Sequence, residues 1–299
     1  MKNDRHVNIC YITDNGYVQH TLVSMASLMS QRFPSTLYRI IVVCDNVDKD
    51  LKNMMKSFQQ DGVEVVPIDY DNRVYSKKEY EAGEYISSAT YIRLKLPSIL
   101  KSLDRIIYLD GDTIIQDDLS ELFNLDLGDT PMGGSLDFGI CVDALNWSAC
   151  DYIRNTLPGY EKHYVNAGVL VMDLKKMRKM GFETICQNLY EERRDFIFAD
   201  QDIINWALKE NKTIFPIYWN CPILSFIMNY AHQSKEFVKQ KMEELFHITY
   251  DDVYDVILKA GIIHINGRKH FIQQIPFLDA LYRNYLNLAI QYANRGRRS

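Results

Sequence analysis

Residues 7–44 read VNICYITDNGYVQHTLVSMASLMSQRFPSTLYRIIVVC, and this stretch decides the fold. The run Val7–Thr13 is short, apolar and rich in β-branched side chains, which is typical of a buried strand. Apolar residues recur at helical spacing through Tyr17–Gln31, and Leu37–Cys44 is a second apolar strand. The stretch therefore predicts two strands joined by a helix.

The same alternation continues to residue 109. Asp48–Gln60 indicates a helix with an aspartate N-cap, and Val63–Ile68 a third strand after a glycine. Ala89–Leu100 indicates another helix, and Arg105–Leu109 a strand that ends in acidic residues. We therefore predict an α/β fold with a mainly parallel sheet and helices on both of its faces. In such sheets, ligands bind outside the carboxyl ends of the strands.

The pattern changes from about Tyr218, where aromatic residues and methionines become frequent. Two amphipathic helices are predicted over Lys235–Phe246 and Phe277–Tyr292, with a short apolar run, Gly261–Ile265, between them. This run is expected to return to the main domain. We therefore predict a catalytic domain formed by residues 1–217 and 261–271, and a mainly helical C-terminal, acceptor-side part formed by residues 218–260 and 272–299.

Composition excludes several classes of protein. The chain has 299 residues, of which 47% are hydrophobic, and 34 Lys and Arg against 39 Asp and Glu give a net charge of −5. These values are ordinary for a globular protein and exclude a disordered or fibrous chain. The acidic balance argues against a nucleic-acid partner, because such proteins usually carry a dense basic face.

The cysteines and the apolar runs bear on location. The six cysteines are widely spaced and form no C-x-x-C pair, which favours a reducing compartment. The first residues are too polar for a signal peptide, and no apolar run is long enough to span a membrane. We therefore expect a cytoplasmic protein. The basic residues Arg295, Arg297 and Arg298 indicate either a solvated end or a weak peripheral contact with anionic lipid at the inner membrane face.

Two aspartates, Asp110 and Asp112, directly follow the strand Arg105–Leu109. In an extended chain, residues i and i+2 point to the same side, so both carboxylates can reach one cation. Mg²⁺ and Mn²⁺ prefer oxygen ligands and commonly bridge protein carboxylates and substrate phosphates. The alternative is a solvated Asp-Gly turn.

Three further segments place polar residues beside apolar runs. His264 follows an apolar strand and is either a core histidine or a third metal ligand; the loop after it, Gly267-Arg268-Lys269, could bind a diphosphate. The acidic segment Asp200-Gln201-Asp202 opens a helix, where it could cap the helix or bind sugar hydroxyls. The run Val165–Asp173 places Asn166 and a glycine at the start of an apolar strand.

Taken in order, these segments resemble glycosyltransferase family 8, the retaining nucleotide-sugar transferases that include bacterial lipopolysaccharide galactosyl- and glucosyltransferases. The resemblance runs from about Val7 to His270 and is closest to the bacterial lipopolysaccharide type. It is carried by the ordered segments Thr13-Asp14-Asn15-Gly16-Tyr17, Ser88–Leu94, Tyr108–Thr113, Leu136-Asp137, Val165–Leu174 and Ala199–Asn205.

The resemblance implies the single-domain, Rossmann-like fold called GT-A and a UDP-sugar donor. It also implies that Mn²⁺ or Mg²⁺ is held by Asp110, Asp112 and His264. The remaining family positions, around the uridine, the diphosphate and the donor sugar, fall on Thr13, Asp14, Asn15, Tyr17, Arg93, Gly111, Asp137, Asn166, Asp200, Gln201, Gly267 and Lys269.

Within this set, the resemblance places Asp14 and Asn15 on the base or ribose and makes Tyr17 a candidate to stack on the uracil. The sequence departs from the family pattern near its end. Lys269 comes two residues after Gly267 rather than three, and His270-Phe271 replace the usual Pro-Trp. Lys269 is nevertheless expected to contact the diphosphate.

The implied reaction is the transfer of a hexose, glucose or galactose, to a saccharide or glycolipid acceptor in lipopolysaccharide or other cell-surface glycan synthesis. Cleavage of the sugar–UDP bond leaves negative charge on the β-phosphate, which a metal and cationic side chains stabilise. Configuration is retained if the departing phosphate takes the acceptor proton on the same face, with Gln201 beneath the anomeric carbon. Double displacement through Asp200 is the alternative route.

Three other classes of protein fit the sequence less well. A haloacid-dehalogenase-type phosphatase also carries D-x-D after a strand, but its usual Thr or Val is here Ile114. A nucleotidyltransferase would show a glycine-rich basic signature near the N-terminus, which residues 7–17 lack. A sugar-binding module would explain the 20 tyrosines but would not need the D-x-D, histidine and lysine set.

Overall fold

The order of strands and helices follows the alternation predicted from the sequence. The computed structural model describes residues 6–71, 78–79, 85–86, 88–142, 151–193, 196–232, 234–267 and 269–295. The strands are β1 (His6–Asp14), β2 (Leu37–Asp45), β3 (Val63–Tyr70), β4 (Lys78–Glu79), β5 (Tyr85–Ile86), β6 (Arg105–Leu109), β7 (Thr113–Ile115), β8 (Met132–Leu136), β9 (Val165–Asp173), β10 (Thr213–Ile214), β11 (Cys221–Pro222) and β12 (Ile262–His264).

The helices alternate with these strands and then dominate the last third of the chain. They are α1 (Val18–Gln31), α2 (Lys49–Lys56), α3 (Leu96–Ile99), α4 (Ser120–Phe123), α5 (Phe138–Val142), α6 (Asp151–Thr156), α7 (Leu174–Met180), α8 (Phe182–Glu192), α9 (Ala199–Leu208), α10 (Ile223–His232), α11 (Lys235–Phe246), α12 (Val253–Leu258) and α13 (Pro276–Arg295). Turns of 3₁₀-helix cover Ser88–Lys95, Tyr160–Lys162, Ile217–Trp219 and Lys269–Gln274.

Seven strands form the main sheet, in the order β10-β8-β9-β6-β1-β2-β3. Strand β9 runs antiparallel to β6 and β8, and the other neighbouring pairs are parallel. The prediction of a mainly parallel sheet is therefore confirmed. Because β9 is reversed, its first residues lie at the sheet edge where β6 and β8 end, and the Asp110 N–H donates to the Gly168 carbonyl across that edge at 2.8 Å.

Hydrophobic layers cover both faces of this sheet. Successive side chains of a strand point to opposite faces, so Ile9 and Tyr11 of β1 enter one buried cluster while Cys10 and Ile12 enter the other. Helices α1 and α13 contribute to the first cluster, and α9 contributes to the second. The prediction of helices on both faces is confirmed.

The C-terminal region packs against the same core. Helix α13 lies on α1, where the Gln31 side chain donates to the Tyr285 hydroxyl. Strand β12 pairs with β7 and with β11 in one small sheet. This sheet therefore joins strands from both sides of the predicted boundary between residues 217 and 218. The division of the chain into a catalytic and an acceptor-side part stays a prediction.

Two predicted helices differ in detail. The segment Ala89–Leu100 is mostly 3₁₀-helix, and a short α-helix begins only at Leu96, where Pro97 occupies the first turn. Proline fits that position because its missing N–H has no partner there in any case. Helix α2 ends at Lys56 rather than Gln60, before a turn in which Gly62 has φ +74°. Asp48 sits at the N-cap, but its side chain makes no capping hydrogen bond.

Among the described residues, no helix is long and apolar enough to cross a membrane. Arg295 ends α13 with its guanidinium 4.9 Å from the centre of the Tyr292 ring. Arg297 and Arg298 lie outside the described residues. The proposed contact of this basic end with lipid stays a prediction.

Candidate active site

Asp110, Asp112 and His264 converge as the sequence predicts for a metal centre. One ligand atom from each residue lies within 4.8 Å of the other two. His264 Nε2 is 3.4 Å from an Asp112 oxygen and 3.7 Å from an Asp110 oxygen. The antiparallel pairing of β12 with β7 places His264 directly opposite Thr113, beside the D-x-D loop.

The surroundings of these three side chains fit a divalent cation. The Tyr108 hydroxyl donates to Asp110 at 2.6 Å, and the Tyr17 hydroxyl hydrogen-bonds Asp112. Burial and the two nearby carboxylates raise the pKa of Tyr17 well above its ordinary value, so its hydroxyl stays a proton donor. Two carboxylates and an imidazole, each with a second partner, are a donor set suited to Mn²⁺ or Mg²⁺.

Two glycines make room for this cluster. A Cβ on Gly111 would lie 2.5 Å from the Thr21 hydroxyl and 3.2 Å from the Tyr17 ring. A Cβ on Gly168 would lie 2.1 Å from His264 Cε1. Neither glycine has a positive φ, so both are needed for space rather than for backbone conformation.

Arg93 is buried between two aspartates. Its guanidinium lies 2.9 Å from an Asp110 oxygen and 2.7 Å from an Asp200 oxygen, and it donates to the Ala167 carbonyl at 2.6 Å. Asp200 also accepts from the Thr90 hydroxyl at 2.7 Å. Burial raises the pKa of Asp200 to about 6, although Arg93 opposes the shift. One buried cation therefore holds a carboxylate of the metal cluster and one of the predicted sugar site.

The predicted sugar-binding residues form a second cluster. Asp137 accepts from the side-chain amides of Asn166 at 2.9 Å and Gln201 at 3.1 Å. The Gln201 oxygen accepts the Ala167 N–H at 2.9 Å, which fixes the orientation of its amide. The reversed direction of β9 brings Asn166 and Ala167 to this edge, so the structure brings together residues from three separate motifs.

The predicted uridine loop lies beside both clusters. Thr13, Asp14 and Tyr17 line a cavity of about 210 Å³ that Arg93 and the D-x-D loop also border. Asn15 is exposed, and its side-chain oxygen accepts the backbone N–H of residue 48 at 2.9 Å, which ties the loop to the start of α2. The structure therefore places Asn15 at the edge of this region, away from the metal cluster.

The loop after His264 is described only in part. Gly267 is exposed and has φ +112°, a conformation that favours glycine. Lys269 begins a turn of 3₁₀-helix, and its side chain lies outside the described residues. The predicted contact of Lys269 with a diphosphate stays a prediction.

Sequence reasoning missed Asn220 and Tyr164. Asn220 donates to Asn166 and lies 2.9 Å from His264 Nδ1, and the Tyr164 hydroxyl donates to Asp202 at the start of α9. The available signal was an amide inside the apolar run Ile217–Leu224, because a buried polar side chain needs partners. That signal marks a buried polar contact but does not name the residues that make it.

Known proteins resemble this chain in sequence. A sequence model described as glycosyl transferase family 8 matches residues 8–247. General stress protein A of Bacillus subtilis is 23% identical over 226 residues, which cover 74% of this chain and 75% of that protein. A lipopolysaccharide 1,2-glucosyltransferase of Escherichia coli K12 is 26% identical over 253 residues, which cover 83% of this chain and 64% of the enzyme.

Solved structures show the same fold. The galactosyltransferase LgtC, in complex with donor and acceptor sugar analogues, superposes with a TM-score of 0.74 at 21% identity, covering 95% of this chain and 96% of LgtC. The bifunctional glycosyltransferase WbbM superposes with a TM-score of 0.76 at 18% identity, covering 99% of this chain and 52% of WbbM. The predicted GT-A fold is confirmed, and the match over residues 8–247 shows that the chain belongs to glycosyltransferase family 8.

Proposed function

We propose that this protein transfers a hexose, glucose or galactose, from a UDP-sugar to a saccharide or glycolipid acceptor with retention of configuration. The observation that carries the proposal is the convergence of Asp110, Asp112 and His264 beside the cavity lined by Thr13, Asp14 and Tyr17. A metal-binding cluster beside a cleft suits a ligand that carries a diphosphate, because divalent ions commonly bridge protein carboxylates and substrate phosphates. Family membership favours transfer over the phosphatase, nucleotidyltransferase and sugar-binding alternatives.

The metal cluster would receive the diphosphate. A divalent ion held there would supply positive charge to the β-phosphate as the sugar–phosphate bond breaks. Arg93 keeps Asp110 in place through a buried ion pair, and Tyr17 does the same for Asp112 through its hydroxyl. Lys269 and the exposed Gly267 follow His264 in the chain, and we propose that they contact the diphosphate.

Different roles follow for Gln201 and Asp200. The Gln201 amide is held by Asp137 and by the Ala167 N–H, so its carbonyl oxygen keeps a free lone pair in a fixed direction. We place that oxygen beneath the anomeric carbon, where it would stabilise positive charge on the sugar. Asp200 is buried and engaged by Arg93 and Thr90. This geometry favours a role for Asp200 in holding Arg93, rather than a role as the nucleophile.

The acceptor and the cellular process are proposed from the relatives. One relative is a lipopolysaccharide glucosyltransferase, which supports a role in lipopolysaccharide or other cell-surface glycan synthesis. We assign the acceptor side to residues 218–260 and 272–299. We also propose that the protein is cytoplasmic and takes its UDP-sugar from the cytoplasm. The basic end at Arg295 would then lie near the inner face of the membrane.

Removal of divalent metal should abolish turnover of the donor. EDTA-treated protein is expected to lose nearly all hydrolysis of UDP-glucose and UDP-galactose, because the developing phosphate charge loses its main counter-charge. Adding Mn²⁺ should restore it, and the donor that gives the larger thermal shift with Mn²⁺ is the preferred one. Full hydrolysis after EDTA treatment would show that the metal assignment is wrong.

A pair of variants separates the metal site from general loss of charge. Asp112→Asn should prevent restoration by Mn²⁺. Asp126→Asn changes an exposed aspartate that accepts the Gly128 N–H of its own turn, and it should behave as wild type.

Replacement of Gln201 tests the catalytic assignment. Gln201→Ala should lower kcat on the order of 100-fold, a size typical for one preorganised polar group at a reacting centre, while the affinity for UDP stays unchanged. Steady-state kinetics and calorimetric titration with UDP measure the two quantities. The control is Gln59→Ala, an exposed glutamine in the turn that follows α2. Equal kcat in both variants would remove Gln201 from the mechanism.

A further inference from the structure

Asn220 is a buried amide held between two parts of the site. It is 1% exposed, between Trp219 and Cys221, in a run that is otherwise apolar. Its amide nitrogen donates to the Asn166 side-chain oxygen at 3.0 Å, and its own oxygen lies 2.9 Å from His264 Nδ1. A buried amide is costly unless both of its ends are paired, and both are paired here.

The backbone fixes the direction of these hydrogen bonds. The Gly168 N–H can only donate, and it donates to the Asn166 side-chain atom at 2.9 Å, which must therefore be the oxygen. The other end of the Asn166 amide donates to Asp137 at 2.9 Å, which agrees with this orientation. Asn220 must then turn its nitrogen to Asn166 and its oxygen to His264.

This orientation determines where His264 carries its proton. Because the Asn220 oxygen only accepts, Nδ1 must be the protonated nitrogen. The lone pair of the neutral ring is then on Nε2, the atom that lies 3.4 Å from Asp112 and 3.7 Å from Asp110. A metal-bound histidine needs this arrangement, with its other nitrogen donating to a fixed oxygen.

We infer that Asn220 is a positioning residue for the metal centre: it holds the Nδ1–H of His264 and directs the Nε2 lone pair into the space between Asp110 and Asp112. The inference rests on the proposed function in one respect: it takes the space between Asp110 and Asp112 as the metal site. Through Asn166 and Asp137, the same amide joins the metal ligand to the residues assigned to the donor sugar. Asn220 itself supplies no atom to the cluster of Asp110, Asp112 and His264.

The test measures Mn²⁺ binding directly, from the electron paramagnetic resonance signal of free Mn²⁺, in the full-length protein. Asn220→Leu keeps the volume but leaves Nδ1–H without an acceptor, and it should weaken Mn²⁺ binding by about 10- to 100-fold. Asn220→Asp still accepts from Nδ1–H, although its second oxygen faces the Asn166 oxygen and should lower stability, so it should bind Mn²⁺ more tightly than Asn220→Leu. Loss in the first variant with rescue in the second is expected for a positioning role.

A matched control separates positioning from general damage to the fold. Asn205 is also a fully buried amide, but its side chain hydrogen-bonds the backbone of residues 165 and 201. Asn205→Leu should lower the melting temperature and leave Mn²⁺ affinity unchanged. Equal affinities in the Asn220→Leu and wild-type proteins would overturn the inference.

A second measurement needs no variant. Nitrogen chemical shifts of ¹⁵N-histidine-labelled, metal-free wild-type protein, at alkaline pH where imidazoles are neutral, report which His264 nitrogen carries the proton. The expected result is Nδ1–H, and an Nε2–H ring would overturn the inference. If the wild-type protein binds no Mn²⁺ yet shows Nδ1–H, the proposed metal function fails while the orienting role of Asn220 remains.

Discussion

Replacing Gly168 with alanine should remove metal binding while leaving the sheet folded. The new Cβ would lie 2.1 Å from Cε1 and 2.7 Å from both nitrogens of the His264 ring, so the imidazole must move away from the two aspartates. Loss of one protein ligand should weaken Mn²⁺ binding by more than about 100-fold, beyond the range for disturbing the surroundings of a ligand. Turnover of the UDP-sugar should fall with it. Paramagnetic resonance titration and donor hydrolysis measure the two effects.

Two controls show whether displacement of the His264 imidazole causes the loss of Mn²⁺ binding in Gly168→Ala. Gly133→Ala adds a methyl group in the neighbouring strand, where its nearest atom is the end of the flexible Leu127 side chain, and should leave Mn²⁺ affinity unchanged. In a His264→Ala background, Gly168→Ala should cost little further stability, because the clashing ring is gone. Wild-type Mn²⁺ affinity in Gly168→Ala would show that His264 is not a metal ligand.

Replacing Arg93 with methionine should destabilise the protein by about 3–5 kcal/mol, the usual cost of removing one partner from a buried charge pair. The variant leaves the buried Asp200 with the Thr90 hydroxyl but without its cation, and it removes the cationic partner of Asp110. Urea denaturation in EDTA measures this loss apart from metal binding. A loss below about 1 kcal/mol would show that Arg93 contributes little to stability.

The loss of stability in Arg93→Met should become smaller as the pH falls. The folded-state pKa of Asp200, about 6 with Arg93 present, lies above its unfolded value and should rise further without the arginine. A carboxyl with a raised folded pKa destabilises the protein above that pKa, and the cost disappears as the pH falls toward the unfolded value. The difference between Arg93→Met and wild type should therefore shrink between about pH 8 and about pH 5. Arg93→Met with Asp200→Asn should recover part of the stability at neutral pH.

Local patterns predicted most of the sheet because burial on both faces gives strands a continuous apolar sequence. Strands β1, β2 and β6 match their predicted bounds to within a residue. The helix boundaries were predicted less accurately. Pro97 lies in the first turn of α3 and the turn at Gly62 follows α2, and hydrophobic spacing reports neither feature. The reversal of β9 was not predicted, because strand direction depends on which neighbours the strand finds.

The cluster of Asp110, Asp112 and His264 could be predicted only in part from local sequence. Asp110 and Asp112 could be assigned together from their spacing, because the extended backbone fixes their relative direction. His264 could be attached to them only through the family resemblance, since more than 150 residues separate it from the D-x-D loop. The structure brings it there through the pairing of β12 with β7.

The sequence by itself determined the α/β class, the family and the chemical types of side chain at the site, because hydrophobic period and short motifs are local properties. Only the tertiary structure decided that Arg93 bridges Asp110 and Asp200, that Gly168 leaves the space for His264, and that Asn220 orients that ring. These contacts depend on distances of a few ångströms between residues far apart in the chain, and packing of the whole sheet sets such distances.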